Sequence, residues 1–254
     1  MKIVGIIPAR FASSRFPGKP LADIGGISMI NRVYRQASKA LLLQKVVVAT
    51  DDERIYDEVV THGGFAVITS VNHRSGTDRC HEVVEKLAAL GEKFDVAINI
   101  QGDEPFIEPS EIDKVAGLFI NTEIKIATLV KEIKSSDELF SPNVVKVVLG
   151  KDKRAIYFSR QPIPYLRGVE PNHWLEKMVF FKHIGIYAYR TAVLEEIVKL
   201  PFGTLEEAES LEQLRWIENN FSIYAQVTDF ESIAVDTPED LIKIINILKA
   251  GNQV

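Results

Sequence analysis

Residues 3–20 read IVGIIPARFASSRFPGKP, and this stretch decides which fold we expect. Its first five residues, 3–7, are mostly β-branched and predict a buried strand. Similar runs follow at residues 46–49, 96–100 and 124–130, each separated from the next by patterns of helical spacing. Strands that alternate with crossover helices predict an α/β fold with a largely parallel sheet, covered on both faces.

Four apolar stripes at helical spacing lie in the first half of the chain. They comprise Met29, Ile30, Val33 and Ala37; Ile55 and Val59; Cys80, Val83, Leu87 and Leu90; and Ile112, Val115 and Phe119. The second of these helices should begin after Asp52 as its N-cap and end at Gly63-Gly64.

The second half of the chain has a less regular pattern. Strands are predicted at residues 144–149, 179–189 and 223–227, and helices at 205–219 and 238–249. Residues 159–174 contain three prolines and little periodicity, so we expect an extended excursion there. Asp236 is predicted to end a further strand and to open the last helix. No linker is evident, and one domain is expected over residues 1–254.

Composition excludes several classes of protein. The 254 residues carry a net charge of −5 and no basic stripe, which argues against nucleic acid or a membrane surface as partner. The one cysteine, Cys80, excludes an intrachain disulfide and a thiolate metal site. No apolar run reaches the roughly 18 residues that span a bilayer. A cytoplasmic location is therefore expected.

The loop after the first predicted strand, residues 8–20, carries the strongest functional signal. It holds Arg10, Arg15 and Lys19 together with two serines, and Gly18 lets the backbone approach a ligand closely. Such a set suits a triphosphate, which needs several donors and positive charges together. The alternative is a solvated basic loop. Pro20 follows Lys19, which excludes a Walker A loop, and no G-x-G, H-E-x-x-H or G-x-S-x-G occurs.

Two aspartates are candidate Mg²⁺ ligands. Asp103 follows the strand predicted at 96–100, and Asp236 precedes the helix predicted at 238–249. Ligands bind at the carboxyl ends of strands in open α/β sheets, so both carboxylates are expected at that edge. The alternatives are a turn former at Asp103 and a helix N-cap at Asp236, since Thr237-Pro238 follows it.

Together these stretches resemble the 3-deoxy-manno-octulosonate (Kdo) cytidylyltransferases, in order from residue 3 to about residue 245. The motifs that carry the resemblance are Ile7–Arg10, Ser13–Pro20, Ala49–Asp52, Ser75–Arg79, Gln101–Pro105, Phe158–Arg160, His183–Tyr189 and Ala208–Leu214. The sialic-acid activating enzymes are less similar, because they carry Gly-Gly-Ser-Lys where this chain has residues 11–14.

The resemblance implies a Rossmann-like nucleotidyltransferase fold and the reaction of CTP with Kdo to give CMP-Kdo and pyrophosphate, for bacterial lipopolysaccharide. It also implies Mg²⁺ as cofactor and a homodimer, with residues 159–190 forming the dimer contact. By position, it assigns Arg10, Ser13, Arg15, Lys19, Arg74, Ser75 and Gln101 to the nucleotide, Asp103 and Asp236 to Mg²⁺, and Arg160, His183, Glu209 and Gln213 to the sugar.

Physical chemistry is consistent with these roles. Lys19, Arg10 and a Mg²⁺ ion on Asp103 would neutralise the charge that develops on the phosphates, which makes these three residues the catalytic candidates. Arg160 suits the carboxylate of the sugar, because a guanidinium binds a carboxylate bidentately. His183 would act as a positioning residue or as a general base, and the first role is favoured.

Other functions remain as alternatives. One is a cytidylyltransferase for a related acidic sugar, such as an 8-amino analogue of Kdo. A second is a non-catalytic nucleotide-binding homologue, against which the two aspartates and the cationic loop argue. A third is a glycosyltransferase that consumes nucleotide-sugars, although the Asp-x-Asp signature of many such enzymes is missing.

Overall fold

The computed structural model describes residues 1–12, 16–230 and 233–249. Its contacts divide the chain into two compact units. Unit 1 comprises residues 1–116 and 232–254, and unit 2 comprises residues 117–231. The expectation of a single nucleotidyltransferase domain, with a dimer contact at 159–190, stays a prediction.

Nine strands are present in the described residues. In chain order they are β1 (Ile3–Ala9), β2 (Lys45–Thr50), β3 (Ala66–Ile68), β4 (Val96–Asn99), β5 (Ile126–Glu132), β6 (Lys146–Leu149), β7 (Ala155–Ser159), β8 (Phe181–Arg190) and β9 (Ile223–Val227). Seven of them were predicted from sequence, whereas β3 and β7 were not.

Ten α-helices are present in the same residues. They are α1 (Met29–Ala37), α2 (Glu53–Thr61), α3 (Gly76–Ala89), α4 (Pro109–Gly117), α5 (Ser136–Phe140), α6 (Trp174–Lys177), α7 (Thr191–Ile197), α8 (Thr204–Glu209), α9 (Glu212–Glu218) and α10 (Pro238–Lys249). Short 3-10 helices cover Lys19–Leu21, Leu118–Ile120 and Pro171–His173. None of the described helices is long and apolar enough to cross a membrane.

Unit 1 contains the parallel sheet that the sequence predicts. Its strands lie in the order β3-β2-β1-β4, and each neighbouring pair is parallel. In the centre of the sheet Gly5 pairs with both Val46 and Ile98. The apolar residues of β1, β2 and β4 are almost all buried, which is typical of parallel strands that are covered on both faces.

Unit 2 has a mixed sheet. Strand β5 pairs with β9 in parallel and with β8 in antiparallel orientation, while β6 pairs antiparallel with both β7 and β8. The β5–β8 register shifts between Thr128 and Leu129, where β8 carries extra residues. The resulting β-bulge lies next to His183 and affects the position of its side chain relative to Tyr187.

Three predictions about local structure are wrong. The helix expected at 205–219 is divided into α8 and α9, because Ser210 adopts a left-handed conformation (φ 51°) that ends α8. Leu90 lies at the C-cap of α3 and is 73% exposed, so it does not belong to the buried stripe. Asp236 does not follow a strand, since residues 233–237 have no regular secondary structure. By contrast, Asp52 caps α2 as predicted, accepting from Arg54 N at 3.0 Å.

Candidate functional site

Three charged side chains of unit 1 meet at the carboxyl ends of its strands. Lys19 Nζ donates to Asp103 Oδ2 at 2.8 Å and to Asp236 Oδ1 at 3.3 Å. The Lys19 side chain is 14% exposed, while those of Asp103 and Asp236 are 26% and 40% exposed. The group therefore holds one ammonium between two carboxylates. We refer to Lys19, Asp103 and Asp236 as the phosphate-side cluster.

Lys19 is placed by the closed end of the loop that follows β1. Gly18 N donates to Phe11 O at 2.9 Å and so draws the two described ends of the loop together. Gly18 is left-handed (φ 74°), and an added Cβ would lie 3.1 Å from the Phe11 ring, so glycine suits this position. The same ring lies beneath Arg54, with 3.4 Å from the Arg54 Cζ to the ring centroid. A cation–π contact thus holds the loop against α2.

Asp103 is placed by a turn that packs against the end of β1. A Cβ on Gly102 would lie 2.7 Å from the carbonyl oxygen of Pro8, so only glycine allows this close approach. The Asp103 carbonyl also accepts from Val235 N at 2.9 Å. Val235 is fully buried in a cluster with Ile24, Met29, Phe106 and Ile244.

Asp236 is positioned at the phosphate-side cluster by its buried neighbour Val235. It does not cap α10. Thr237 has that role, because its Oγ1 accepts from Asp240 N at 3.3 Å while Asp240 Oδ2 accepts from Thr237 N at 3.2 Å. This reciprocal pair is a capping box. The alternative role considered for Asp236, a helix N-cap, is therefore wrong.

The other residues that the resemblance assigns to the nucleotide lie after β1, before α3 and after β4. Arg10 is exposed at the end of β1. Ser13 and Arg15 lie outside the described residues. Arg74 is exposed, and Gln101 is partly buried two residues after the end of β4. Ser75 caps α3, where its side chain accepts from Asp78 N at 3.1 Å.

The sequence motifs around Ser75 also contain a buried ion pair to which no role was assigned. Arg79 is 4% exposed; its Nη2 donates to Asp51 Oδ2 and its Nη1 donates to Thr69 Oγ1 at 2.8 Å. This pair fixes the end of β2 to α3. In the sequence, the only indication of this ion pair is that Asp51 and Arg79 both lie in motifs that carry the family resemblance.

Glu82 holds the segment before Ser75 in place. Its carboxylate accepts from Ser70 N at 2.8 Å, is hydrogen-bonded to His73 Nε2 and forms an ion pair with Lys86. Desolvation by itself would raise the pKa of Glu82, but these hydrogen bonds outweigh it and lower the pKa to about 2. The segment from 70 to 75 is thus held by a carboxylate that is ionised at neutral pH.

A second polar cluster lies in unit 2, and we call it the acceptor-side cluster. It consists of Ser159, Arg160 and Glu209. Ser159 Oγ donates to Glu209 Oε1 at 2.6 Å, and Arg160 N donates to Glu209 Oε2 at 2.9 Å. Both oxygens of the carboxylate are thereby used to join the end of β7 to the end of α8.

The Arg160 guanidinium contacts backbone carbonyls on either side of this cluster. Its Nε donates to Glu209 O at 2.7 Å, its Nη1 to Pro142 O at 3.1 Å and its Nη2 to Ser210 O at 3.3 Å. A guanidinium has five N–H groups, so two are left for a ligand. Arg160 therefore holds the turn at Ser210 as well as being a candidate for the sugar.

Lys146 contacts the backbone of Arg160. It is fully buried, and its ammonium donates to the carbonyls of Ser141, Val144 and Arg160. Desolvation lowers its pKa, while the Glu209 carboxylate opposes that shift and Arg160 adds to it. Two cations and one carboxylate give this region a formal charge of +1, which suits an acidic ligand. Sequence patterns did not single out Lys146, because a lysine in a strand usually points to solvent.

His183 lies in β8, between aromatic rings. The Phe158 ring meets it edge-on with centroids 5.4 Å apart, and the Tyr187 ring lies 5.0 Å away. Its Nε2 lies 3.0 Å from Thr128 Oγ1. Desolvation lowers the pKa of His183 to about 3, so the imidazole is neutral at physiological pH. A base this weak is a poor proton acceptor, which favours the positioning role.

Three further polar side chains of unit 2 are those of Gln213, Tyr187 and Trp216. Gln213 is 5% exposed in α9. The Tyr187 hydroxyl and the Trp216 indole N–H are buried and have no hydrogen-bond partner among the described residues. The two rings meet edge-on, 5.1 Å apart. Buried donors without a protein partner are uncommon and are often explained by an ordered water or a ligand.

The phosphate-side cluster has the chemistry that a Mg²⁺ ion requires. Mg²⁺ prefers oxygen ligands and is usually held by one or two carboxylates together with water and phosphate oxygens. Asp103 and Asp236 provide the two carboxylates, and both side chains are partly exposed to solvent. Within residues 1–12, 16–230 and 233–249, no three His, Cys, Asp or Glu side chains are grouped to hold a metal ion by themselves.

A parallel α/β sheet, with a cationic loop after its first strand and two aspartates at the same edge, places the protein among the α/β nucleotidyltransferases. The chain belongs to the cytidylyltransferase family, whose model matches residues 4–233. Both findings confirm the fold class and the family expected from the sequence.

Similar proteins are known over the full length of the chain. A 3-deoxy-manno-octulosonate cytidylyltransferase of Parabacteroides distasonis is 54% identical over 252 residues, which cover 98% of each chain. The protein of the same name from Bacteroides thetaiotaomicron is 51% identical over 253 residues, 98% of this chain and 99% of that one. A solved structure of CMP:2-keto-3-deoxy-manno-octonic acid synthetase complexed with CTP superposes with a TM-score of 0.90 at 42% identity, covering 99% of this chain and 100% of that one.

Proposed function

We propose that this protein transfers CMP from CTP to Kdo, giving CMP-Kdo and pyrophosphate. The observation that carries the proposal is the meeting of Lys19 with Asp103 and Asp236 at the carboxyl ends of the strands. Relatives at 51–54% identity that bear the name 3-deoxy-manno-octulosonate cytidylyltransferase support the choice of substrates.

The transfer needs charge neutralisation and no covalent intermediate on the protein. A hydroxyl oxygen of the sugar forms a bond to the α-phosphorus while the bond to the bridging oxygen of pyrophosphate breaks. Negative charge grows on the leaving pyrophosphate, and Lys19 and Arg10 are the cations of the described loop that can meet it. The hydroxyl proton is lost to solvent or to a phosphate oxygen, since His183 is too weak a base to take it.

We propose that Asp103 and Asp236 hold Mg²⁺ when CTP is bound. When bound, the ion supplies further positive charge to the phosphates. Lys19 contacts both carboxylates in this structure, so the residues that would hold the ion lie beside the ammonium that would meet the phosphates.

For the sugar we propose the residues around the acceptor-side cluster. The two unused N–H groups of Arg160 and the positive charge that it shares with Lys146 suit the carboxylate of Kdo. His183 and Gln213 suit its hydroxyl groups, because a neutral imidazole keeps one ring nitrogen as an acceptor and an amide offers both a donor and an acceptor. Glu209 acts on the sugar mainly through Arg160, since both of its oxygens are already bonded.

We further propose a homodimer that acts in the cytoplasm and supplies lipopolysaccharide synthesis. Support for the dimer comes from large apolar side chains that are exposed within residues 159–190. Tyr165 is 75% exposed, Val179 50% and Met178 37%. Clusters of exposed apolar side chains are typical of protein interfaces.

The test is pyrophosphate release from CTP and Mg²⁺ with a panel of acceptors. Kdo, its 8-amino analogue, a sialic acid and no acceptor should be compared at equal concentration. Among these conditions, we expect rapid release of pyrophosphate only when Kdo is the acceptor. Faster release with the 8-amino analogue would assign the protein to that sugar instead, and release without any acceptor would indicate a different reaction.

A further inference from the structure

The hydroxyl of Thr128 lies at the β-bulge between β5 and β8. Thr128 is fully buried and pairs with Tyr187, whereas its neighbour Leu129 pairs with Ile184, so Gly185 and Ile186 are extra residues in β8. Thr128 Oγ1 lies 2.7 Å from Ile186 O and 3.2 Å from Ile184 O. The hydroxyl thus contacts the carbonyl oxygens on both sides of the bulge.

The bulge also brings His183 and Tyr187 together. In a regular strand, residues four apart are separated by about 13 Å along the chain. Here the two ring centroids are only 5.0 Å apart. The extra residues shorten the path between the two side chains, so the bulge that Thr128 fixes also determines the surroundings of the imidazole.

The hydrogen bonds of Thr128 determine where the imidazole carries its proton. A hydroxyl has one hydrogen, and Ile186 O at 2.7 Å can only accept it. If that hydrogen went to His183 Nε2 instead, two carbonyl oxygens would face the hydroxyl oxygen without a hydrogen between them. Nε2, 3.0 Å away, must therefore be the donor to Thr128 Oγ1. A doubly protonated ring is excluded at neutral pH because burial disfavours the charge.

We infer that Thr128 is a positioning residue that holds His183 protonated on Nε2, so that Nδ1 is an acceptor for a hydroxyl of the sugar. No described residue bonds to Nδ1. The position of the proton follows from contacts within this chain, whereas the sugar as donor rests on the proposed function. The inference assigns His183 a specific task, which is to accept a hydrogen bond and not to donate one.

The proton position can be measured without any activity. The chain has five histidines, so the ¹⁵N NMR spectrum of protein labelled in histidine contains few ring-nitrogen signals. The two signals that disappear in His183→Gln belong to the ring nitrogens of His183. We expect a protonated Nε2 and an unprotonated Nδ1 at pH 7 in the wild type. A protonated Nδ1 in the wild type would overturn the inference.

Two variants of Thr128 then separate its hydroxyl from its bulk. Thr128→Ser keeps the hydroxyl, so His183 should stay protonated on Nε2. The nearly isosteric Thr128→Val removes the hydroxyl, so His183 should populate the forms protonated on Nε2 and on Nδ1. If Thr128→Val does not fold, Thr128→Ala removes the hydroxyl with less bulk, and the wild-type spectrum remains decisive in any case. A wild-type spectrum in Thr128→Val would show that Thr128 does not position the ring.

Kinetics test the sugar half of the inference. Thr128→Val should raise KM for Kdo by about tenfold, the loss expected for one hydrogen bond, and leave KM for CTP within about twofold. Thr128→Ser should restore KM for Kdo. An unchanged KM for Kdo, when NMR shows that the single form is lost, would overturn the acceptor role of Nδ1. Failure of the wild type to use Kdo at all would instead overturn the proposed function and leave the NMR result standing.

Discussion

Lys19 Nζ lies 2.8 Å from Asp103 Oδ2, although the two residues are 84 positions apart in the chain. Asp236, which is 217 positions from Lys19, bonds to the same nitrogen. Three distant segments therefore place an ammonium and two carboxylates at one edge of the sheet in unit 1. This arrangement carries the proposal that the edge binds a triphosphate with a divalent cation.

Replacement of the two aspartates tests the metal role. We expect Asp103→Asn and Asp236→Asn each to lower kcat by about 10²-fold or more, because each weakens stabilisation of charge on the phosphates. The stability of Asp236→Asn should change little, since Thr237 and Asp240 form the cap of α10. Steady-state kinetics as a function of Mg²⁺ concentration and thermal unfolding provide the two measurements.

Asp240→Asn is the matched control for this pair. It disturbs the capping box of α10 and should lower the free energy of unfolding by about 0.5–2 kcal/mol, the range found for lost caps. Its kcat at saturating Mg²⁺ should remain close to that of the wild type. A folded Asp236→Asn that keeps full activity at limiting Mg²⁺ would exclude Asp236 as a ligand.

Arg160→Lys tests the grip on the sugar carboxylate. We expect KM for Kdo to rise roughly 30-fold or more, in line with about 2–5 kcal/mol for a desolvated charged contact, while KM for CTP changes little. The midpoint of thermal unfolding should also fall, because an ammonium cannot reproduce the three carbonyl contacts of the guanidinium.

Arg154→Lys serves as the control, since Arg154 lies in the same unit and its side chain is half exposed. Among the residues that the structure describes, that side chain bonds only to Asp152, at the β6–β7 turn. It should change neither KM nor stability. If Arg160→Lys lowered the unfolding midpoint but left KM for Kdo unchanged, Arg160 would have a structural role alone.

The partly buried imidazole of His183 predicts a pH dependence of stability. In the unfolded chain a histidine binds a proton below about pH 6.5, whereas burial lowers the pKa of His183 in the folded state to about 3. Between these values the unfolded state binds more protons, so stability falls as the pH is lowered. His183→Gln should remove up to about 1.4 kcal/mol per pH unit of this dependence.

Urea unfolding of the wild type and of His183→Gln from pH 7 to pH 5 measures this difference. His173→Gln makes the same substitution at a side chain that is 51% exposed and so serves as the control. Equal slopes in the wild type and in His183→Gln would contradict a partly buried His183 that stays neutral in this pH range.

Much of unit 1 could be predicted from the sequence, for a physical reason. Strands β1, β2 and β4 are buried on both faces, so each appears as a continuous apolar run. Strand β3 has only three residues, Ala66–Ile68, and so short a run gives no periodic signal. The division at Ser210 was missed because a single left-handed residue leaves the apolar pattern of the surrounding helix intact.

The site was predictable in its residue types but less so in its contacts. The cationic loop and the two aspartates follow from the sequence, because strand ends in a parallel sheet meet at one edge. The carbonyl contacts of Arg160 and of the buried Lys146 were not predictable, since backbone acceptors leave no mark in the sequence. The same holds for Thr128, whose function depends on a bulge that only the register of β5 and β8 reveals.

Choice of the nucleotide is a separate prediction. We expect CTP to be used in preference to ATP, GTP and UTP, because the chain belongs to the cytidylyltransferase family. Rates of pyrophosphate release with each triphosphate at equal concentration, in the presence of Kdo, measure this preference. Equal use of UTP or ATP would require a different assignment of the nucleotide.

The most direct test of the central claim is a measurement of product formation from CTP, Kdo and Mg²⁺ by the wild-type protein. Chromatography should show CMP-Kdo and pyrophosphate appearing in equal amounts, with no reaction when Kdo or Mg²⁺ is omitted. Pyrophosphate or phosphate released from CTP without formation of CMP-Kdo, or a full rate in the presence of a chelator, would contradict the account of a Mg²⁺-dependent transfer to Kdo.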